Sequence, residues 1–327
     1  MNSTIFSCFL DASKAFDRVN HDLLFSRLRR RGVPSYIVRI LIFWYQHQRV
    51  CVRWGSVFSE FFNVTNGVRQ GGILSPYLFN VYMDDLSLKL NACKTGCMFN
   101  GLVINHLMYA DDLVIFSPSV TGLKMLIDAC EQFGNANDVK YNSLKSCLMT
   151  FRCKKMKQYV FPKFYLNNNE LIESDCVKYL GHYITNDLRD DIDIQRQIKK
   201  LYAQGNILLR KFHMCSVGAK VLLFRSYCSS LYACQLWWKY NKSTINKLNV
   251  TYHNVLKMFI GVPKFESSSL VCSIYNVQCC QSVRRNLIYN FMRRVNKCNN
   301  SVIVSLISSS LYFTSEIRNH WYQLLHL

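Results

Sequence analysis

The chain has 327 residues, half of them hydrophobic and 14% aromatic, and a net charge of +20. Such a composition excludes intrinsic disorder, and the length allows two or three domains with a sizeable core. The charge is concentrated: from Ile194 to Phe265 there are twelve Lys or Arg and no acid, and from Ile194 to the C-terminus eighteen bases meet two acids, Glu266 and Glu316. Solvated faces usually intersperse acids, so this segment predicts a polyanion-binding surface, nucleic acid above all.

In chain order, Ile5 to Leu10 is an apolar run that reads as a strand ending at Asp11, and Ala12 to Asp17 reads as a turn into polar chain. Leu23-Leu24-Leu28 and Ile37-Ile40-Leu41-Trp44 have helical spacing, broken by Gly32-Val33-Pro34. Val50 to Trp54 and Phe58 to Val64 form a hairpin pattern around Gly55-Ser56. Gly71-Gly72 precede Ser75-Pro76, a helix start with the hydroxyl as cap and proline in the first turn, running to about Leu90. A strand-turn-strand pattern follows around Tyr109 to Asp112, then a helix from about Thr121 to Phe133 and short strands to Ile184. Residues 187–262 read as helical and basic, with Ile194, Ile198, Leu201, Leu208 and Phe212 forming an apolar stripe. In 263–327 the clearest pattern is a helix over Leu287 to Val295.

Fifteen scattered cysteines show no zinc spacing, and Asp11 and Lys14 interrupt any N-terminal signal-peptide pattern. They are expected to be reduced, intracellular and mostly small core residues. The most apolar stretches, Tyr36 to Tyr45 and Val221 to Trp238, each contain an arginine, so neither is a good membrane span.

Chemistry centres on Tyr109-Ala110-Asp111-Asp112, where two adjacent carboxylates sit at the tip of a hairpin with apolar runs on both sides. Adjacent like charges are costly unless something positive neutralises them, and a divalent metal is the usual solution. Asp11 supplies a third strand-end carboxylate, and carboxylates from two strands are what a two-metal phosphoryl-transfer site needs. A similar string, Tyr82-Met83-Asp84-Asp85, lies late on the helix begun by Ser75-Pro76 and continues into Leu86-Ser87-Leu88. It lacks the strand-turn-strand pattern, so Asp84 and Asp85 are expected to be polar helix positions.

The order of motifs resembles the reverse transcriptase of non-LTR, LINE-type retrotransposons. It is carried by Phe9 to Asp17 (FLDASKAFD) with Val19 and His21, by Gly67 to Pro76 (GVRQGGILSP) with Leu78-Phe79, and by Tyr109 to Asp112. Tyr141-Asn142 with Lys145, and Tyr179-Leu180-Gly181, resemble the next two motifs. The resemblance implies an α+β, ferredoxin-like palm of a right-hand polymerase with partial fingers over 1–186. A basic helical thumb over 187–262 and a helical C-terminal extension over 263–327 would follow. It implies RNA-directed DNA polymerase chemistry with two Mg2+ ions, Mn2+ being an alternative. Asp11, Asp111 and Asp112 would be the metal-binding and catalytic carboxylates, and Lys145 would protonate the leaving pyrophosphate.

Phe16, Gln70 and Gly71 would touch the incoming nucleotide, with Phe16 excluding a 2′-hydroxyl unless it is simply a core phenylalanine. Tyr179, Leu180 and Gly181 would position the primer end. The implied partners are an RNA template, a DNA primer, dNTPs and duplex along 194–265, with no membrane, in the nucleus. The family carries a long stretch upstream of its first catalytic aspartate, whereas only ten residues precede Asp11 here, so a truncated and weakly active or inactive copy is expected. A non-catalytic nucleic-acid-binding remnant is the alternative. An RNA-templated RNA polymerase or intron maturase fits the Ser13-Lys14-Ala15-Phe16-Asp17 context less well.

Overall fold

A computed structural model describes residues 3–153 and 162–326. The chain divides into two compact units, Met1–Asp175 and Cys176–Leu327, eleven residues ahead of the boundary expected at 186.

The first unit is built on strand β1 (Ile5–Asp11). Helices α1 (His21–Arg30), α2 (Ser35–Gln46) and α3 (Ser75–Ala92) follow. Next come β2 (His106–Tyr109), β3 (Asp112–Ser117), α4 (Val120–Ala136), β4 (Cys147–Phe151) and the short β5 (Ile172–Glu173). The sheet order is β5-β4-β1-β3-β2. All neighbours are antiparallel except β4 and β5. Without β5 the path is β-α-β-β-α-β in the order 4-1-3-2, the ferredoxin-like arrangement.

Alternation along β1 explains its two faces. Phe6, Cys8 and Leu10 join Leu113 and Ile115 of β3 in a core cluster with Leu78, Phe79, Met83 and Leu86 of α3 and Leu123, Leu126, Ile127 and Phe133 of α4. Phe9, paired with Val114, is buried outside that cluster, and the same alternation carries Asp11 onto this second face. The two residues joining β2 to β3 are Ala110 and Asp111, and Ala110 adopts the left-handed region at φ 53°.

Between α2 and α3, residues 49–63 form the expected hairpin, with Arg49–Val50 paired to Phe62–Asn63 and Arg53–Trp54 to Val57–Phe58. Pro76 stands in the first turn of α3 as expected, but Ser75 does not cap it. Its hydroxyl donates to the Arg69 carbonyl (2.5 Å) and closes the loop before the helix.

The second unit opens with the hairpin β6 (Cys176–Tyr179) and β7 (His182–Thr185). The helices α5 (Asp191–Phe212), α6 (Val217–Cys228), α7 (Lys242–Ile260), α8 (Ser268–Ile274) and α9 (Cys280–Asn296) follow. The apolar stripe of α5 is buried at Ile194, Ile198, Leu201 and Leu208, with Phe212 partly buried beside it. Its core continues through Phe224, Trp237, Tyr252 and Phe259 to Val271 and Val283, so α8 and the start of α9 share it. A smaller cluster joins Ile288 and Met292 to Trp321. Cys8, Cys130, Cys228, Cys234, Cys272 and Cys280 are buried small residues of these cores. Among the described residues no helix is long and apolar enough to cross a membrane.

Candidate active site

Asp11 is the last residue of β1 and lies directly across from Asp112, the first residue of β3. In an antiparallel pair such residues project from the same face, a few ångströms apart, and like charges there are unfavourable. Asp111 stands next to them in the two-residue loop, and Asp111 and Asp112 are exposed. The Asp112 carboxyl is raised above its usual range by burial first and then by the charges of Asp111 and Asp11. The three carboxylates therefore form one locus of surplus negative charge, and the fold holds it together.

That locus is pinned from the other side of β1. The Asp11 backbone N–H donates to the Ser146 hydroxyl (3.1 Å), and its carbonyl accepts from the Asn142 N–H (2.8 Å). Ala12 bridges Tyr141, and the Ser13 N–H donates to the Lys140 carbonyl (2.8 Å). Asn142 shapes this turn by accepting the Leu144 N–H on its side chain (3.0 Å). Exposed Lys145 stands on that turn, within the segment bonded to Asp11. Sequence reasoning gave Tyr141, Asn142 and Lys145 but missed Ser146, whose hydroxyl is tied to the Asp11 strand end.

Phe16 lies on a short 3-10 turn (Phe16–Arg18) and stacks on Phe79 of α3, with ring centroids 4.4 Å apart and planes within 11°. The ring is half-buried, so it is both packed and partly accessible. The Phe16 carbonyl accepts the Val68 N–H (2.8 Å) and the Val19 carbonyl accepts the Gly67 N–H (2.8 Å). This pairing brings the loop carrying Gln70 and Gly71 next to the segment after Asp11.

Gly67 makes the approach possible. It sits at φ 92°, and a Cβ there would lie 2.8 Å from the Asp17 carbonyl oxygen. Gly71, at φ 82°, has open space around it, and Gln70 is exposed.

Asp84 and Asp85 lie in the middle of α3 rather than late on it, and both are ion-paired. Asp84 meets Arg31. Asp85 meets Arg30 (3.2 Å) and Arg27 (3.0 Å), and Arg27 is 4% exposed beneath the Tyr82 and Phe133 rings. These are structural acids linking α1 to α3.

In the second unit, Tyr179-Leu180-Gly181 forms the turn of the β6–β7 hairpin. The Tyr232 hydroxyl donates to the Leu180 carbonyl (2.8 Å), and a Cβ on Gly181 would lie 3.1 Å from the Tyr232 ring. Behind the turn, the fully buried Asp193 carboxylate accepts from Trp237 Nε1 (2.8 Å), Arg196 Nε (2.7 Å) and the Tyr183 N–H (3.2 Å) and contacts His182 Nδ1 (3.0 Å). Burial raises its pKa, but the bonds from His182, Arg196 and Trp237 outweigh that and hold it below the usual carboxylate range. The basic segment 194–265 is not wholly at the surface. Lys257 is buried, and its ammonium donates to the Lys264 (3.1 Å) and Glu266 (2.6 Å) carbonyls.

Residues 2–184 match the family described as reverse transcriptase (RNA-dependent DNA polymerase), and the chain belongs to that family. Its relatives include the retrovirus-related Pol polyprotein from type-2 retrotransposable element R2DM of Drosophila melanogaster, 33% identical over 54% of this chain and 17% of that one. The RNA-directed DNA polymerase from mobile element jockey of the same species is 24% identical over 90% of this chain and 32% of that one. The chain thus spans a third or less of the length of these relatives. A telomerase from Candida albicans, solved with the TWJ fragment of telomeric RNA, aligns at 10% identity and a TM-score of 0.47 over 99% of this chain and 50% of that one.

The donor set fits hard divalent cations. It is all carboxylate oxygen, it is short of positive charge, and Mg2+ is usually held by one or two carboxylates together with substrate phosphates. Among the described residues no group of three or more His, Cys, Asp or Glu side chains is placed so that it could hold a metal ion.

Proposed function

We propose that this chain is the polymerase core of a non-LTR retrotransposon and adds dNTPs to a DNA primer 3′-hydroxyl along an RNA template. One observation carries the reading: Asp11 and Asp112 face each other across the β1–β3 ladder with Asp111 alongside, and burial together with those two neighbouring charges raises the Asp112 carboxyl. Asp11, Asp111 and Asp112 would hold two Mg2+ ions, or Mn2+, on the sheet face turned away from α3 and α4. Bound there, the ions supply activation of the hydroxyl and neutralisation of the leaving pyrophosphate.

The remaining work belongs to the chain's own side chains. Lys145, on the turn bonded to Asp11, delivers a proton to the pyrophosphate. Phe16, stacked on Phe79, closes the space a ribose 2′-hydroxyl would need, so discrimination rests on shape. Gln70 contacts the incoming nucleotide, and Gly71 lets the loop backbone turn beside it. The Tyr179-Leu180-Gly181 turn holds the primer end. In this reading 1–186 is palm with partial fingers, the helices of 187–262 are a thumb holding duplex with the exposed bases of 194–265, and 263–327 extends it. The site of action is nuclear, where the target chromosomal DNA is.

Primer extension on an RNA template with dNTPs and Mg2+ tests the reading. Extension that is strong with dNTPs and weak with rNTPs is expected. Salt-sensitive duplex binding without any incorporation would instead identify a non-catalytic nucleic-acid-binding protein, and incorporation of both nucleotide types would remove the role given to Phe16.

A further inference from the structure

Ser87, His106 and Asn105 form a hydrogen-bonded chain apart from the three carboxylates. A hydroxyl inside a helix ordinarily bonds back to the carbonyl four residues earlier. Ser87 lies inside α3, yet its Oγ is 2.8 Å from Nε2 of His106, the first residue of β2. On the other side of the ring, His106 Nδ1 is 2.7 Å from Asn105 Oδ1.

Asn105 decides which ring nitrogen carries hydrogen. It is buried, and its Nδ2 donates to the Leu90 carbonyl (2.8 Å) and to the Thr95 carbonyl (2.8 Å). Both amide hydrogens are spent in this way, and the Oδ1 that faces the ring can only accept. Nδ1 of His106 is therefore the donor. Burial lowers the imidazole pKa from its ordinary value, so the ring is neutral at pH 7 and Nε2 keeps a free lone pair. The Ser87 hydroxyl is then the donor in its bond to His106. A nucleophile, a base and a third group that orients the base are the arrangement that activates a serine. Ser87 and His106 are both half-buried, so solvent reaches the pair while Asn105 stays locked behind it.

We propose that Ser87 is a modification site that takes an acyl group from an activated carboxylic ester, with His106 as its base and Asn105 as the positioning residue. Ser87 Oγ bonds to the carbonyl carbon while its proton moves to His106 Nε2. The ester C–O bond then breaks and His106 passes that proton to the leaving alkoxide, giving acyl-Ser87 and an alcohol. Ser87 lies well beyond the first turn of α3, so its own N–H is engaged in the helix and does not serve the oxyanion. The site accordingly retains its acyl group rather than turning over rapidly.

An alkyl fluorophosphonate reports the same attack, with phosphorus in place of the carbonyl carbon and fluoride as the leaving group. The parent chain, Ser87→Ala, His106→Gln and His106→Ala are each treated with it at neutral pH. Adducts are followed by intact-mass spectrometry and located by peptide mapping. One adduct on Ser87 is expected in the parent and none in Ser87→Ala. Labelling of His106→Gln should be slower by about 100-fold, the lower end of what a positioned base supplies. Added imidazole should restore labelling in His106→Ala, which lost folding could not produce. An unlabelled parent, a main adduct that survives Ser87→Ala, or a His106→Gln chain labelled at the parent rate overturns the proposal. So does a His106→Ala chain that imidazole leaves slow although its circular dichroism melt matches the parent. None of these variants alters Asp11, Asp111 or Asp112, so the polymerase reading stands or falls separately.

Discussion

Asp112 shows how much of the site depends on single positions. Its neighbours Asp111 and Asp11 are one residue and one strand away, and the fold holds all three although they repel. This was legible in the sequence, because Asp111-Asp112 lies between two apolar runs with a strand-turn-strand pattern, which Asp84-Asp85 lacks. The left-handed Ala110 was not legible, since alanine gives no sign of φ 53°, a conformation that costs roughly 1–2 kcal/mol outside glycine. Gly67 was legible as part of a motif but not as a contact, because its neighbour, the Asp17 backbone, is fifty residues away in the chain. Gly67→Ala would combine a disfavoured φ with a 2.8 Å approach to backbone that cannot rotate aside. It should lower unfolding free energy in urea by about 2 kcal/mol or more. A variant as stable as the parent would show that the 16–19 and 67–68 segments separate freely.

Among the elements, α3 and the β6–β7 hairpin illustrate the two outcomes of reading patterns. The Tyr82 to Asp85 string was separated from the true hairpin by period alone, and its acids are bound to Arg27, Arg30 and Arg31. The buried Asp193 gave no such sign, because its partners His182, Arg196 and Trp237 come from three separate stretches of chain. It joins the hairpin, α5 and the segment before α7. Its folded pKa lies below the unfolded value, so its contribution is complete above about pH 4 and is lost as pH falls through the folded value. Asp193→Asn leaves Arg196 without its carboxylate and should cost about 3 kcal/mol at pH 7. The same substitution should flatten the acid limb of the pH–stability curve. Chemical denaturation at pH 7 and through the acid range measures both, and an unchanged acid limb would move the cause to other carboxylates.

For the molecule as a whole, the count of charges was legible and their disposition was not. Lys257 is consumed inside the second unit, and Arg284 is buried against Tyr240, while Arg293, Arg294 and Lys297 open onto a groove in a stretch that had offered only a helical period. The ferredoxin-like sheet was foreseen through the resemblance carried by the motifs, since composition and periodicity alone do not give its strand order. The 175–176 division was not, because a hairpin's allegiance is set by its packing partners rather than its composition. The most direct test of the catalytic assignment is primer extension by the parent chain, Asp111→Asn and Asp84→Asn under identical Mg2+ and dNTP. Asp84 is paired at the surface with Arg31, so its loss should barely affect folding. Extension by the parent and by Asp84→Asn, with at least a 100-fold loss in Asp111→Asn, is expected from the removal of a metal-binding carboxylate. Equal extension by all three, or loss confined to Asp84→Asn, would contradict the assignment of Asp11, Asp111 and Asp112 as the catalytic centre.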